Sequence, residues 1–111
     1  MKKNFVDTNI FIEMFVRKGS KSDKSYQLLV NESSLRTNYL VISEMEWVMR
    51  AGYKIAKEDI IRSIRKILTS DVEVDSKKIL INTLNFYELN NVDWTNCLNM
   101  FLLKNEDIST V

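Results

Sequence analysis

The sequence predicts an α/β fold in which helices pack around a short parallel sheet. Short apolar segments typical of strands alternate along the chain with longer segments that have helical periodicity. The clearest helical period covers Lys57–Leu68, where isoleucine and leucine recur at helical spacing. Strands that alternate with helices in this way are joined by crossovers, so they form a parallel sheet with helices on its faces.

The length and composition predict one cytoplasmic domain over residues 1–111. A formal net charge of +1 argues against nucleic-acid binding through an overall positive field, although it leaves a local basic face open. The single Cys97 cannot form an internal disulfide, and the N-terminal residues lack the apolar run of a signal peptide. No segment approaches the roughly 20 apolar residues of a membrane span, so no membrane association is expected.

The absence of histidine restricts the chemistry further. It excludes Ser-His-Asp and Cys-His catalysis and the common imidazole sites for zinc. With one cysteine and no histidine, a metal ion would have to be held by oxygen atoms, which suit Mg²⁺, Mn²⁺ or Ca²⁺. Any catalysis is therefore expected to depend on carboxylates.

The first ordered segment carries the chain from a strand into a helix. A short apolar strand ends at Asp7, and Thr8 and Asn9 lead into a helix over residues 10–16. Ligands of open α/β sheets bind outside the carboxyl ends of the strands, which is where Asp7 would lie. The three polar residues are equally compatible with a turn that only caps the helix.

The middle of the chain contains one ambiguous segment. A loop over residues 17–22 and a helix over residues 23–32 precede it. Leu35–Thr37 is compatible with a strand. The apolar residues after it are compatible with either a continued strand or a buried helix, because short apolar runs do not decide between the two. We place a helix over residues 39–51, with Asn38 as its N-cap and Gly52 as its C-terminal stop.

The second half of the chain predicts three helices and two strands. Helix Lys57–Leu68 is followed by a strand over residues 71–74, and Asp75 caps a helix over residues 76–89. Asp93 caps a helix over residues 94–104. Residues 108–111 are predicted to form a last strand.

Two of these helices have faces with a predicted role. In helix Lys57–Leu68, Arg62, Arg65 and Lys66 form a basic face, which is either solvated surface or a phosphate-binding surface. The helix over residues 94–104 is apolar on most sides and is expected to be central and largely buried. Its sulfur-containing residues, Cys97 and Met100, are expected to fill the core.

Four polar residues lie at element ends or boundaries from which they could converge on one edge of the sheet. Asp7 follows the first strand, Glu44 interrupts an apolar helix segment, and Asp93 and Asn96 begin the last helix. A carboxylate between apolar neighbours needs a partner if it is half-buried. Exposure at the surface is the alternative for Glu44, and capping of its own helix is the alternative for Asp93.

Four segments of the sequence resemble successive blocks of the PIN domain. They are Phe-Val-Asp-Thr-Asn at residues 5–9, Val-Ile-Ser-Glu-Met-Glu-Trp-Val at 41–48, Val-Asp-Trp-Thr-Asn-Cys-Leu at 92–98 and Ile-Ser-Thr-Val at 108–111. Their order and spacing look most like those of the VapC-like ribonuclease toxins of bacterial and archaeal toxin–antitoxin pairs. The resemblance implies a PIN-like three-layer α/β/α sandwich with a short central parallel sheet.

The resemblance also implies a metal centre. Members of the family gather about four carboxylates around Mg²⁺ or Mn²⁺, which activate a water molecule and stabilise charge during cleavage of RNA. On this comparison, the first family acid corresponds to Asp7 and the second to Glu44. Asn9 and Thr110 take positions that orient the acids by hydrogen bonding.

Two of the acids that the resemblance implies are missing. Asn96 replaces the third, with Asp93 three residues earlier, and its amide oxygen can ligate a hard cation without contributing charge. The fourth would follow Val111, so the chain is expected to lack the C-terminal end of the family. Each lost charge is worth up to about 4 kcal/mol at ~4 Å with an effective dielectric of about 20, so we expect weakened metal binding.

Three functions are compatible with these patterns. The first is a metal-dependent endoribonuclease toxin, weakened or inactive here, with Asp7, Glu44, Asn96 and Asp93 in its catalytic site. The second is a catalytically dead PIN-like module that forms a homodimer and binds an antitoxin, whose basic side chain would occupy the acidic pocket. The third is a generic α/β domain in which the acids are only caps and surface residues, and in which Asp7 and Glu44 lie far apart.

Overall fold

The computed structural model describes residues 4–17 and 34–109. Within these ranges, three short strands form one parallel sheet in the order β1, β2, β3. The strands are β1 (Asn4–Phe5), β2 (Leu35–Thr37) and β3 (Glu73–Val74). Asn4 lies opposite Leu35 and Arg36 lies opposite Glu73, so strands that follow one another in sequence are neighbours in the sheet. The predicted parallel sheet is confirmed.

Five α-helices and one π-helix accompany the sheet in the same ranges. They are α1 (Thr8–Phe15), α2 (Tyr39–Trp47), the π-helix (Val48–Gly52), α3 (Lys57–Leu68), α4 (Lys77–Leu89) and α5 (Trp94–Asn105). Helices α1, α2 and α4 each follow the carboxyl end of a strand, which confirms the predicted α/β fold. As far as the described ranges go, none of these helices has both the length and the hydropathy that a membrane span requires.

Hydrogen bonds align the carboxyl ends of the three strands. The hydroxyl of Thr37, at the end of β2, donates to the carbonyl oxygen of Val6 at 2.9 Å. The backbone N–H of Asp75, just after β3, donates to the carbonyl oxygen of Thr37 at 3.3 Å. The residues that follow the strands, Asp7, Asn38 and Asp75, therefore lie along one edge of the sheet.

Helix α3 shows how the most periodic segment of the sequence builds the core. Ile60, Ile64 and Ile67 are fully buried, whereas Arg62 and Lys66 are exposed on the other side of the helix. Acidic residues in its first turn and basic residues in its last turn also suit the helix dipole. The predicted bounds and both predicted faces of this helix are confirmed.

Two predicted helix caps are confirmed. A carboxylate oxygen of Asp7 accepts a hydrogen bond from the backbone N–H of Asn9 at 3.1 Å, so α1 begins at Thr8 rather than at residue 10. The side-chain oxygen of Asn38 accepts a hydrogen bond from the backbone N–H of Val41 at 3.0 Å and caps α2. Both caps lie at the sheet edge, where each strand passes directly into its helix.

Of the two other predicted caps, Asp75 is wrong and Asp93 is confirmed in position only. Asp75 forms an ion pair with Arg36 of the neighbouring strand instead of capping α4. Ser76 takes the N-cap position of that helix with a left-handed φ of 60°. Asp93 does occupy the N-cap position of α5, but within the described chain its side chain makes no hydrogen bond to the first turn. The ion pair with a neighbouring strand therefore takes Asp75 away from the capping role.

The helix predicted over residues 39–51 changes geometry part of the way along. Its α-helical part ends at Trp47, and the π-helix continues to Gly52, the residue that the sequence predicted as the end. The backbone N–H of Tyr53 donates to the carbonyl oxygen of Val48 at 3.1 Å, which is the five-residue spacing of a π-helix. The wider turn changes the direction in which later side chains leave the helix.

The predicted burial of α5 is only partly right. Trp94, Cys97 and Leu98 are buried along one stripe, as expected. Met100, which was expected to fill the core, is 41% exposed. Since α5 packs mainly on α4, only one stripe of its apolar surface is covered, and the helix lies at the surface of the domain.

The predicted last strand is wrong for the part that the structure describes. Ile108 and Ser109 belong to no strand, and the backbone N–H of Ile108 donates to the carbonyl oxygen of Leu103 at 2.9 Å as the chain turns back over the end of α5. Thr110 and Val111 lie outside the described residues. The predicted helix over residues 23–32, and most of the loop before it, also lie outside them.

We predict that Ile64→Ala lowers the free energy of unfolding by about 2–5 kcal/mol, because it leaves a cavity among fully buried side chains. Lys66→Ala is the matched control on the exposed face of the same helix, and we expect it to change stability by less than about 0.5 kcal/mol. Urea unfolding of the three proteins measures both values. Equal midpoints for the two variants would contradict the assignment of the core face.

Candidate functional site

Asp7 lies in solvent at the carboxyl end of β1. One of its carboxylate oxygens is held by the backbone N–H of Asn9, so the interpretation of Asp7 as a helix cap is confirmed. Asn9 is exposed on the first turn of α1. A capping carboxylate at a sheet edge is held in a defined orientation, which also suits a metal ligand. A role for Asp7 in a site stays a prediction.

Glu44 is exposed on α2 rather than half-buried. It shares the outer face of the helix with Leu40, four residues earlier, and Trp47, three residues later. Both of these side chains are also exposed. The alternative of surface exposure is therefore what the structure shows. The carboxylate that needs buried partners belongs instead to Glu46, two residues further along, which is only 2% exposed.

Glu46 has two partners that match its buried charge. Arg50, one turn later, donates from Nε to its carboxylate at 2.7 Å, and a second guanidinium nitrogen approaches at 3.4 Å. The hydroxyl of Tyr87 on α4 donates to the same carboxylate at 3.0 Å. Glu46 is not among the residues predicted from the sequence, although its i,i+4 spacing to Arg50 among apolar neighbours was a usable signal.

These contacts shift the pKa values of both partners of Glu46. The hydrogen bond from Arg50 to Glu46 raises the pKa of the arginine. Burial raises the pKa of the Tyr87 hydroxyl, and the negative charge of Glu46 raises it further. Tyr87 therefore stays protonated and donates its hydrogen bond over the whole neutral and moderately alkaline range.

Trp94 connects the first turn of α5 to α2. Its indole N–H donates to the hydroxyl oxygen of Ser43 at 2.9 Å. Its ring packs edge-on against Tyr87, with ring centroids 5.4 Å apart and planes at 84°. Glu44 directly follows Ser43 and Asn96 lies two residues after Trp94, so two predicted site residues belong to helix segments that are in direct contact.

The structure separates Asp93 from Asn96. Asp93 borders a cavity of about 150 Å³ whose other polar walls are Arg50, Lys57, Tyr87 and Asn91. Asn96 borders a wider cleft of about 570 Å³ that it shares with Lys104 and other residues of α5 and its C-terminal turn. The positive charges of Arg50 and Lys57 suit the carboxylate of Asp93, and a role for Asp93 beside Asn96 stays a prediction.

The donor atoms suit a hard cation, but they are few. Within residues 4–17 and 34–109, no group of three or more Asp, Glu, Cys or His side chains is placed to hold a metal ion. The predicted ligands are two carboxylates, Asp7 and Glu44, and the amide oxygen of Asn96. Oxygen ligands of this kind suit Mg²⁺ or Mn²⁺, and two negative charges match one divalent ion rather than two. Thr110 lies outside the described residues.

Comparison with known families identifies the fold. The family model described as PIN domain matches residues 5–106, so the chain belongs to the PIN domain family. PIN domains are generally nucleases that depend on a divalent metal, and they commonly bind RNA and often partner proteins. No curated protein and no solved structure matches the chain. Membership of the PIN domain family, which the sequence resemblance implied, is thus confirmed.

We predict that the stability of the protein falls above pH 10 partly because of Tyr87. An unfolded tyrosine releases its proton near pH 10, whereas the folded protein retains the proton of Tyr87, so unfolding releases a proton in this range. The unfolding free energy of Tyr87→Phe should therefore fall less steeply with rising pH than that of the unmodified chain. The difference in slope should reach up to about 1.4 kcal/mol per pH unit.

Urea unfolding between pH 9 and pH 11.5 measures these slopes. Tyr53→Phe is the matched control, because it removes an exposed hydroxyl whose hydrogen bond, accepted from Arg17, also lies at the surface. Identical slopes for Tyr87→Phe and Tyr53→Phe would show that burial and the neighbouring charge of Glu46 do not raise the pKa of Tyr87.

Proposed function

We propose that this chain is a VapC-like PIN domain protein, the toxin of a toxin–antitoxin pair, which cleaves RNA phosphodiesters with Mg²⁺ or Mn²⁺. The whole of residues 1–111 is proposed to act as one domain. The observation that carries the proposal is the placement of two solvent-exposed carboxylates on neighbouring elements of a PIN fold. Asp7 lies two residues after the end of β1, and Glu44 lies on the helix that follows β2.

In this proposal Asp7, Glu44 and Asn96 hold the metal ion. When bound, the ion supplies a Lewis acid for the phosphoryl oxygens and lowers the pKa of a water molecule. Asp7 is oriented by the backbone N–H of Asn9, which fixes one of its carboxylate oxygens at 3.1 Å. Asn9 and Thr110 are proposed to orient the ligands further through their side chains.

The charge of this ligand set predicts slow cleavage. The amide of Asn96 offers an oxygen atom without negative charge, so the ion would be held by two charges instead of about four. Asp93, which faces Arg50 and Lys57, is poorly placed to supply the missing charge. Weak metal affinity, rather than a missing fold, is therefore the proposed limit on activity.

A second function is favoured by the absence of a three-acid group within the described ranges. In this alternative, the chain is a catalytically silent module that forms a homodimer and binds an antitoxin. A basic side chain of the antitoxin would then lie beside Asp7 and Glu44, where it replaces the cation. Two exposed carboxylates are enough to pair with one guanidinium group.

We predict that the purified chain cleaves single-stranded RNA in the presence of Mn²⁺, and that Asp7→Asn and Glu44→Gln each reduce the rate at least tenfold. Asn96→Asp should raise the rate at least tenfold, because it restores one charge beside the ion. Cleavage of a fluorescently labelled RNA, with and without EDTA, measures these rates.

The matched control is Asp71→Asn, which removes an exposed carboxylate before β3, at the amino end of the sheet. We expect it to cleave RNA as the unmodified chain does. Cleavage that survives both Asp7→Asn and EDTA would disprove the metal-dependent proposal. Absence of cleavage in the unmodified chain and in Asn96→Asp, together with measurable antitoxin binding, would favour the silent module.

A further inference from the structure

A groove between α4 and α5 combines positive charge with an aromatic ring. Its volume is about 400 Å³, and it is lined by Lys78, Ile79 and Asn82 of α4 and by Phe101, Lys104 and Asn105 of α5. Among the residues that the structure describes, no acid belongs to this lining. The acids that follow α5, Glu106 and Asp107, lie outside it, and Asp107 borders the neighbouring cleft. The groove is therefore a positive surface on a chain whose formal net charge is only +1.

The two lysines of the groove have no partner within the described ranges. Lys78 and Lys104 are both exposed, and neither forms an ion pair or a side-chain hydrogen bond with another described residue. Lys78 also lies in the first turn of α4, which contains no acid. A cation is unfavourable there, because the helix dipole is positive at that end. The stability of the fold therefore does not account for Lys78, and its ammonium group is available to a ligand.

The basic face predicted on α3 differs in this respect. Arg62 donates to Asp59 at 2.6 Å, and Arg65 donates to Glu88 at 3.0 Å. The attraction of each arginine for a distant anion is weakened by the negative charge beside it. An anionic chain would have to break these pairs on α3, whereas it meets unpaired cations in the groove between α4 and α5.

The other groups of the lining favour a nucleotide over a simple anion. The half-buried ring of Phe101 lies beside Ile79, and Phe86 packs edge-on against this ring and fixes its orientation. Bases of single-stranded nucleic acids stack on such rings while cations hold the backbone beside them. The amides of Asn82 and Asn105 both donate and accept hydrogen bonds, which suits base edges and ribose hydroxyls. An acidic peptide would use the lysines but would leave the ring uncovered.

The groove begins near the edge of the sheet that carries Asp7. Lys78 follows Asp75 by three residues, and Asp75 lies at the carboxyl end of β3. The sheet order is β1, β2, β3. Neighbouring strands are about 4.8 Å apart, so roughly 10 Å separates the ends of β1 and β3. An RNA strand held by Lys78 therefore has only the width of this small sheet to cross before it reaches Asp7.

We infer that the groove between α4 and α5 binds single-stranded RNA, with Lys78 and Lys104 on its phosphates and Phe101 against one base. This inference rests on the proposed function, because it takes the RNA substrate as the anion. Binding in the groove needs no metal ion. The three residues hold the RNA beside the proposed site and take no part in its cleavage.

The test measures the affinity of a fluorescein-labelled oligouridylate of about 12 nucleotides by fluorescence anisotropy in EDTA, which prevents metal-dependent cleavage. The double variant Lys78→Gln, Lys104→Gln should weaken binding at least tenfold at low salt. It should also lower the slope of log affinity against log salt by about 1.4, since each phosphate of a single strand contributes about 0.7. Phe101→Leu should weaken binding about fivefold or more without changing this slope.

The matched control is the double variant Lys54→Gln, Lys66→Gln, which removes the same charge from two exposed lysines outside the groove. It should keep the salt slope of the unmodified chain. Thermal unfolding checks every variant, and the two lysine variants decide the test if Phe101→Leu does not fold, because they change only exposed side chains. Equal losses in both lysine variants would overturn the inference.

An acidic protein partner is a separate outcome of the same test. Oligoglutamate of matched length is added to the complex of the unmodified chain with labelled oligouridylate. We expect it to displace the label much less effectively than unlabelled oligouridylate does. Equal displacement would show that the groove accepts any flexible anionic chain and would overturn its assignment to RNA.

Cleavage in Mn²⁺ separates this inference from the proposed function. Binding that depends on Lys78 and Lys104, without cleavage by the unmodified chain, would contradict the proposed nuclease and leave the groove intact. Cleavage by the unmodified chain, with full RNA affinity in the groove variants, would overturn the inference and leave the nuclease intact.

Discussion

The buried carboxylate of Glu46 constrains the packing of the helices around it. A charge with 2% exposure is tolerated only if hydrogen bonds replace its lost hydration, and here Arg50 and Tyr87 provide them. Tyr87 comes from α4, so the carboxylate determines where α4 meets α2. Trp94 packs on the same tyrosine, and the position of α5 follows from that contact. One buried charge thus relates three helices to each other.

The sheet supplies the second constraint. Its three strands are two or three residues long, and their carboxyl ends are held together by the Thr37 hydroxyl and by the backbone N–H of Asp75. Asp7 and the start of α2 therefore have fixed positions relative to each other. Since Glu46 sets the rotation of α2, the direction of Glu44 depends on both constraints together.

The sequence predicts the elements better than it predicts their contacts. The bounds of α3 follow directly from its isoleucine period, because burial of one helix face is a local property of the sequence. Glu44 and Glu46 differ only in which side of α2 they occupy. The local spacing to Arg50 marks Glu46 as a paired acid, but its partner on another helix is Tyr87, 41 residues later, which the local pattern does not identify.

Contacts between distant residues also explain why Asp93 and Asn96 border different cavities. Asp93 and Asn96 are three residues apart at the start of one helix, which suggested a single ligand set. The cations beside Asp93 come from Arg50 in the π-helix and Lys57 in α3, and they belong to a different cavity from the one beside Asn96. Family resemblance selected Asp7 and Glu44 as metal ligands, and that role stays a prediction, whereas tertiary packing decides which cavity Asp93 borders.

The small number of acids lowers both the repulsion between the proposed ligands and their attraction for a metal ion. Several carboxylates crowded together repel one another and shift their pKa values upward unless a cation lies among them. Two exposed carboxylates are screened by water, so the fold carries little of this repulsion without a metal ion. The attraction for an ion is reduced for the same reason. The affinity of such a site would then depend on how rigidly its few oxygen atoms are placed, and the hydrogen bond from the backbone N–H of Asn9 to Asp7 is a contact that holds one of them.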